Sequence, residues 1–222
     1  MIPYIRYELS FPEVESATPE GLLAYGGDLS PSRLLLAYRK GIFPWYNAGD
    51  PILWWSPDPR LVLFIDEFTL RKSLKKRLKS FEIRYDTAFE EVMKACGEIP
   101  REGQKGSWII PEVIEAYSVL HDMGYAHSIE AWQEGKLVGG LYGVVIGKMF
   151  FGESMFARVS DASKAAFATL IERLKAEGFT MIDCQVPSSH LKSLGAREIS
   201  RREFMQRLQG VIDEECTPRH WQ

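Results

Sequence analysis

The chain has 222 residues, 45% of them apolar and 26% charged, with a net charge of −3. It is long enough for a full core and ordinary in composition for a globular protein, and no apolar run reaches the roughly 20 residues of a membrane span. The opening MIPYIRYELSFPEVES is neither basic nor continuously apolar and does not read as a signal peptide. Three cysteines, Cys96, Cys184 and Cys216, make neither a disulfide framework nor a zinc-site spacing, and the implied compartment is cytoplasmic.

Residues 1–60 are rich in Pro, Gly and Trp. One helix stands out there. Ser30 is placed to cap it, Pro31 to open it, and Gly41 to close it, with Leu34, Leu35, Ala37 and Tyr38 at helical spacing. PWYNAGDPILWWSPDPR then reads as irregular chain held by aromatic packing. Its Trp45 has two readings, a second small core or a stacking surface that accepts any base.

From residue 61 the pattern changes. RLVLFI predicts a strand. LRKSLKKRLK, from Leu70 to Lys79, predicts a helix with Leu70, Leu74 and Leu78 on one stripe. Its six basic residues, Arg71, Lys72, Lys75, Lys76, Arg77 and Lys79, have no acid among them. That face is either merely solvated or a binder of phosphates. FEIRYD predicts a strand, TAFEEVMKACG a helix, REGQKGSW a polar loop, and PEVIEAYSVLHDMG a helix opened by Pro111 and ended by Gly124.

AHSIEAWQEGKLVGGLYGVVIGKMFFGESMF predicts three consecutive strands with turns at QEGK and VIGK. Ser160 or Asp161 caps the next helix, along which Phe167, Leu170, Ile171 and Leu174 recur at core spacing, and FTMIDCQV is a further strand. The fold class is therefore α/β (or α+β). A mixed sheet with flanking helices, a strand meander and a late crossover helix is the acetyltransferase-like pattern. The chain from residue 61 onward carries this pattern. Its cleft is expected at the end of the third meander strand, near Glu153.

IDCQ places Asp183 and Gln185 two residues apart on one strand, so a regular strand puts both on one face, about 7 Å apart. Two polar groups on an apolar strand are costly unless paired or functional. Either they form a structural hydrogen bond, or Asp183 orients the Gln185 amide for catalysis. Glu153, among Phe151, Met155 and Phe156, has the character of a cation-binding or proton-handling group. His127 and His190 read as structural, Cys184 as core, and no phosphate-binding glycine motif is present.

GLLAYGGDLSP, LLLAYRKGIFPWY, PILWWSPDPR, GSWI, LVGGLYGV, FFGESMFARVSDASK, IDCQ and HLKSLGAREISR, in this order, resemble the bacterial leucyl/phenylalanyl-tRNA–protein transferases along nearly the whole chain. Only the stretch after about Phe204 adds little. The resemblance implies transfer of Leu or Phe, and Met less well, from aminoacyl-tRNA to the N-terminal amine of proteins beginning with Arg or Lys. The product is an N-degron. The resemblance also implies a small N-terminal domain, residues 1–60, joined to an acetyltransferase-like domain, residues 61–222, and no cofactor, metal, membrane or DNA.

In that family's pattern Asp183, Gln185 and Glu153 are catalytic. Glu153 meets the acceptor's cation. Met155, Phe150, Leu141, Leu170 and Ile182 hold the donor side chain, although strand parity sets Ile182 opposite Asp183. Trp45 and Trp108 flank the terminal adenosine. The charge pattern, apart from the resemblance, makes the basic helix the expected contact with the tRNA body, with Arg201 and Arg202 extending the patch. The alternatives are an acetyl-CoA-dependent N-acetyltransferase and a non-catalytic RNA-binding module. The first needs a glycine-bearing pyrophosphate loop where this chain has FARVSDASK. The second leaves Glu153, Asp183 and Gln185 without a purpose.

Overall fold

The computed structural model describes residues 1–70, 72–99, 107–213 and 221, without the side chains of residues 72 and 73. Arg71, Cys216, the polar loop at 101–106 and the Lys72 side chain lie outside that description.

The first 55 residues are more ordered than their composition predicts. β1 (Tyr4–Ile5), β2 (Leu22–Gly26), β3 (Phe43–Pro44) and β4 (Leu53–Trp55) pair in the order β1-β2-β4-β3. Strands of two to five residues are too short for a period of two to show. Tertiary contacts hold them instead. Trp54 is fully buried and donates from Nε1 to the Gly26 carbonyl, and Trp55 Nε1 donates to the Trp45 carbonyl. Between β2 and β3 runs α1 (Pro31–Arg39), with Pro in its first turn and Gly41 in the left-handed region just beyond it.

The second sheet begins with β5 (Arg60–Phe64). After it come α2 (Lys72–Leu78), β6 (Glu82–Tyr85), α3 (Phe89–Glu98) and α4 (Pro111–Asp122), then the meander β7 (Ala126–Gln133), β8 (Lys136–Ile146) and β9 (Met149–Ala157). The crossover helix α5 (Ala162–Ala176), β10 (Met181–Gln185), α6 (Ser189–Lys192), β11 (Arg197–Ile199) and α7 (Arg201–Gln209) complete it. The seven strands lie in the order β11-β5-β10-β9-β8-β7-β6. β10 is parallel to β9 and antiparallel to β5, as a crossover after a meander requires. The fold is a mixed α/β sheet with flanking helices.

One apolar layer packs α1, α3 and α4 on the face that carries Tyr142, Val144 and Phe151. The other packs α5, through Phe167, Leu170 and Leu174, on the face that carries Leu141, Phe150 and Ile182. Burial on both faces explains why β8 reads as a continuous apolar run rather than an alternating one.

Two irregularities interrupt this frame. In the β8–β9 ladder Tyr142 faces Ser154 and Gly143 faces Gly152, so Glu153 is skipped. In the β10–β5 ladder Asp183 faces Val62 and Gln185 faces Leu61, so Cys184 is skipped. Between these bulges β9 and β10 share only the pairs Ile182–Phe150 and Asp183–Phe151 before they part. A cleft opens at that point.

Candidate active site

Glu153 sits within β9, four residues short of the strand's end at Ala157, and not at the end of the strand as expected. The bulge re-aims the chain. In a regular strand Glu153 and Met155 would share a face. Here Glu153 turns toward α1 and α4, while Met155 packs with the α5 layer. An acid and a thioether two residues apart thus line one cleft from opposite sides of the sheet.

Glu153 is partly buried and bonded on both oxygens. Tyr38 on α1 donates to Oε1 at 2.7 Å, Tyr117 on α4 donates to Oε2 at 3.5 Å, and Gln185 Nε2 donates to Oε1 at 2.9 Å. The two tyrosine hydroxyls are also hydrogen-bonded to each other. Burial pushes the carboxyl up. The Tyr38 and Gln185 bonds pull it down, the Asp183 charge adds to the rise, and the balance stands at about 7. Both phenols are held above their ordinary range, first by burial and then by the Glu153 charge, so they remain donors. The sequence reading missed both tyrosines. A tyrosine on the apolar face of a helix differs from a core residue only by what its hydroxyl meets.

Asp183 and Gln185 are close but not arranged as a regular strand would arrange them. The expected shared face is lost to the bulge at Cys184 and to a Gln185 φ of 60°. Asp183 is fully buried and faces Arg60, whose Nε and Nη2 reach its two oxygens at 2.9 and 2.7 Å. Its Oδ1 also accepts from the Gln185 backbone N–H at 3.0 Å. Asp183 therefore grips the Gln185 main chain, while the Gln185 amide is oriented by Glu153. Arg60 was unforeseen, because an arginine opening an apolar strand carries no sign of the acid it will meet.

Two cavities meet at Glu153 and Gln185. The first, of about 360 Å³, is walled by Leu141, Phe150, Met155, Phe167, Ile182 and Cys184, with Ser188 and His190 also in its lining. Ile182 lines it because it alternates with Asp183, so parity favours the position expected of it. Leu170 does not line it. It is fully buried on α5, and Phe167, a turn earlier, supplies the wall. Burial pushes the Cys184 thiol far above its ordinary range, so this wall residue is no nucleophile at neutral pH. His190 is pulled down, first by burial and then by the Lys164 charge. The second cavity, of about 310 Å³, is lined by Phe43, Trp45, Trp108, Val186 and Pro187.

The basic helix is shorter than expected, and it does meet an acid. Arg77 pairs with Asp161 at the start of α5, 84 residues away in sequence. Lys75, Lys76 and Lys79 are exposed. Arg201 donates from Nη1 to the Ser56 carbonyl and from its backbone N–H to Asp58 Oδ1, tying the helix to the chain before β5. His127, expected to be structural, bonds through Nδ1 to Asp86 at 2.8 Å. Among the described residues no three or more His, Cys, Asp and Glu stand together as a metal site, and no helix is long and apolar enough to cross a membrane.

The family described as leucyl/phenylalanyl-tRNA protein transferase matches residues 62–209, and its N-terminal domain matches residues 27–58. A relative from Sulfurimonas denitrificans named leucyl/phenylalanyl-tRNA–protein transferase is 58% identical over 95% of this chain and 93% of its own. One of the same name from Chromobacterium violaceum is 55% identical over 100% of this chain and 96% of its own. Among solved structures, FemX covers 80% of this chain and 70% of its own at 13% identity, with a TM-score of 0.47. The chain belongs to the leucyl/phenylalanyl-tRNA–protein transferase family and is an aminoacyltransferase.

Proposed function

We propose that the chain takes leucine or phenylalanine, and methionine less well, from aminoacyl-tRNA and joins it to the N-terminal amine of proteins that begin with Arg or Lys. The product is an N-degron that marks those proteins for degradation. The observation that carries this reading is the Glu153–Gln185 pair standing where the two cavities meet. One cavity is apolar and large enough for a side chain. The other presents two tryptophans to a base.

The reaction is aminolysis of an ester. The amine nitrogen bonds to the acyl carbon, the bond from that carbon to the ribose oxygen breaks, and the proton shed by nitrogen ends on that oxygen. The donor is already activated, and an α-amine with a pKa near 7.7–8.0 is partly neutral at pH 7. Holding the two together can supply much of the rate. No nucleophilic side chain is needed, in keeping with the inert Cys184.

Gln185 Nε2 is committed to Glu153, which leaves Oε1 to accept from the attacking amine. Asp183, engaged by Arg60, acts by fixing the Gln185 backbone. Glu153 is the carboxylate that meets the acceptor's cationic first residue. Leu141, Phe150, Met155 and Ile182 receive the donor side chain, Trp45 and Trp108 flank the adenosine, and Lys75, Lys76 and Lys79 reach toward the tRNA body. In this reading residues 1–60 are the small N-terminal domain, residues 61–222 are the catalytic domain, and both work in the cytoplasm.

The test is tRNA charged with labelled phenylalanine, mixed with acceptors identical except for a first residue of Arg, Lys or Ala. Label should reach the first two and not the third. Acetylation of the same acceptors from acetyl-CoA, or tRNA binding with no transfer, would overturn the assignment.

A further inference from the structure

The Asp86–His127 pair lines neither of the two cavities described above, and it holds Trp221 near the end of the chain. Trp221 is almost fully buried. Its backbone N–H donates to Asp86 Oδ2 at 3.1 Å, and its carbonyl accepts from Arg173 Nη1 at 3.1 Å. One face of its ring stacks on the His127 imidazole, centroids 4.2 Å apart and planes 10° apart, and the Arg173 guanidinium lies 4.5 Å from the ring centre. Asp86 is fixed in turn by His127 Nδ1 and by the Ser128 N–H, each at 2.8 Å.

Simple core filling does not require this arrangement. An indole buried among apolar side chains is stabilised without a carboxylate and a guanidinium being desolvated beside it. Here a partly buried arginine and a buried acid each bond to the main chain of one residue. The result is a ring fixed in both position and tilt. What that ring rests against is Phe150, whose plane lies within 23° of it at 6.2 Å between centroids.

Phe150 is also a wall of the 360 Å³ cavity. Below it lies Gly143 on β8. A Cβ there would come within 2.6 Å of the Phe150 ring, so only glycine lets the ring lie on the strand. Phe150 is thus pinned between the β8 backbone and Trp221, with Val145 and Ile182 as its register partners on the neighbouring strands.

We infer that Trp221, clamped by Asp86, His127 and Arg173, is a positioning residue that holds Phe150 in the pocket wall and so sets the largest donor side chain the site accepts. The inference rests on the reading of that cavity as the donor pocket. A packed interior relaxes only in part when a large group is removed, and the space left behind is open to a neighbour or to a ligand. Without the indole, Phe150 can withdraw and the pocket deepens. Leucine then fits less closely, and a side chain larger than phenylalanine gains room.

The test uses the full chain and one tRNA charged in turn with leucine, phenylalanine or tryptophan, with kcat/KM and Tm measured for each variant. Trp221→Ala is expected to raise the tryptophan-to-leucine ratio about tenfold or more, within the range that hydrophobic pocket changes deliver. Trp221→Phe is expected to return it most of the way. Met155→Ala, at another lining residue of the same cavity, serves as the control. If Met155→Ala shifts the ratio and Trp221→Ala leaves it unchanged, or lowers all three donors equally, Trp221 is structural and the inference fails while the pocket reading stands. If neither variant shifts the ratio, the pocket reading itself fails. Should Trp221→Ala not fold, Arg173→Met removes the guanidinium from the ring and carbonyl while leaving the indole, and the same ratio decides.

Discussion

Arg60 and Asp183 form a two-point ion pair inside the sheet, Nε to Oδ1 and Nη2 to Oδ2, with side chains 1% and 0% exposed. The guanidinium lies 4.8 and 4.5 Å from the ring centres of Phe43 and Phe204, and its Nη1 donates to the Gly41 carbonyl. The pair thus joins the second sheet to the chain after α1, and it bears directly on what mutation of the site should do.

Asp183→Ala leaves a buried guanidinium without its partner, which typically costs about 3–5 kcal/mol. It should lose transfer and lower Tm together. Gln185→Ala removes one hydrogen bond, worth about 1 kcal/mol, and should lose transfer with Tm little changed. Unfolding curves beside initial rates will separate the two. An Asp183→Ala protein as stable as its parent would contradict the structural role.

Glu153 binds its proton more tightly folded than unfolded, at about 7 against an ordinary 4.5. The folded state therefore loses stability as pH rises from about 4.5 to about 7, and the loss is constant above that. Glu153→Gln lacks this dependence, so the Tm of the variant minus that of the parent should climb across the same window. In rate profiles the inflection near 7 should vanish in Glu153→Gln, while that of the acceptor amine remains. Parallel Tm–pH curves would refute the raised carboxyl.

Tyr38→Phe removes the bond that pulls the Glu153 carboxyl down. The inflection near 7 should move upward, because a hydrogen bond donated to the charged form is lost. A shift downward, or none, would place the control of Glu153 elsewhere.

Lys75, Lys76 and Lys79 are exposed, whereas Arg77 is paired with Asp161. Replacing the three lysines by Ala should weaken tRNA binding and flatten its salt dependence by roughly 0.7–0.9 log units per log unit of salt for each lost contact. Arg77→Ala should change the slope less. Reaction with a minimal aminoacyl-adenosine donor should be unaffected by the triple variant. An unchanged tRNA affinity would make the helix a solvated face.

The donor pocket should favour Phe, Leu and Met over Ile and Val, whose branched Cβ is stiff near the main chain. An apolar pocket separates such analogues by about 1–3 kcal/mol, so rejection is partial. Competition between Leu- and Ile-charged tRNA measures it, and equal rates would argue against a pocket of this shape.

The larger elements were legible because their signals are local. α1 and α4 carry Pro at their starts and Gly past their ends, β7 to β9 are long and apolar, and α5 keeps core spacing through four turns. The short strands of the first sheet were not legible, since two to five residues hold too little period and Trp54 and Trp55 are fixed by carbonyls on other segments. Glu153, Met155, Gln185, Trp45 and Trp108 were singled out as candidates from their chemistry and from the resemblance, and the fold brings all five to the lining of the two cavities that share Glu153 and Gln185.

The sequence by itself determined the types of group available and the order of the elements that carry them. Only the tertiary structure decided how those groups pair. Alternation along a strand predicts one face for Asp183 and Gln185 and one for Glu153 and Met155, and the bulges at Cys184 and Glu153 break both rules. Arg60, Tyr38, Tyr117 and Trp221 meet their partners across 35 or more residues of chain. A bulge is set by strands competing for register, and a buried charge by whatever acid folding brings beside it. Neither is encoded within the few residues over which hydrophobic period and capping act.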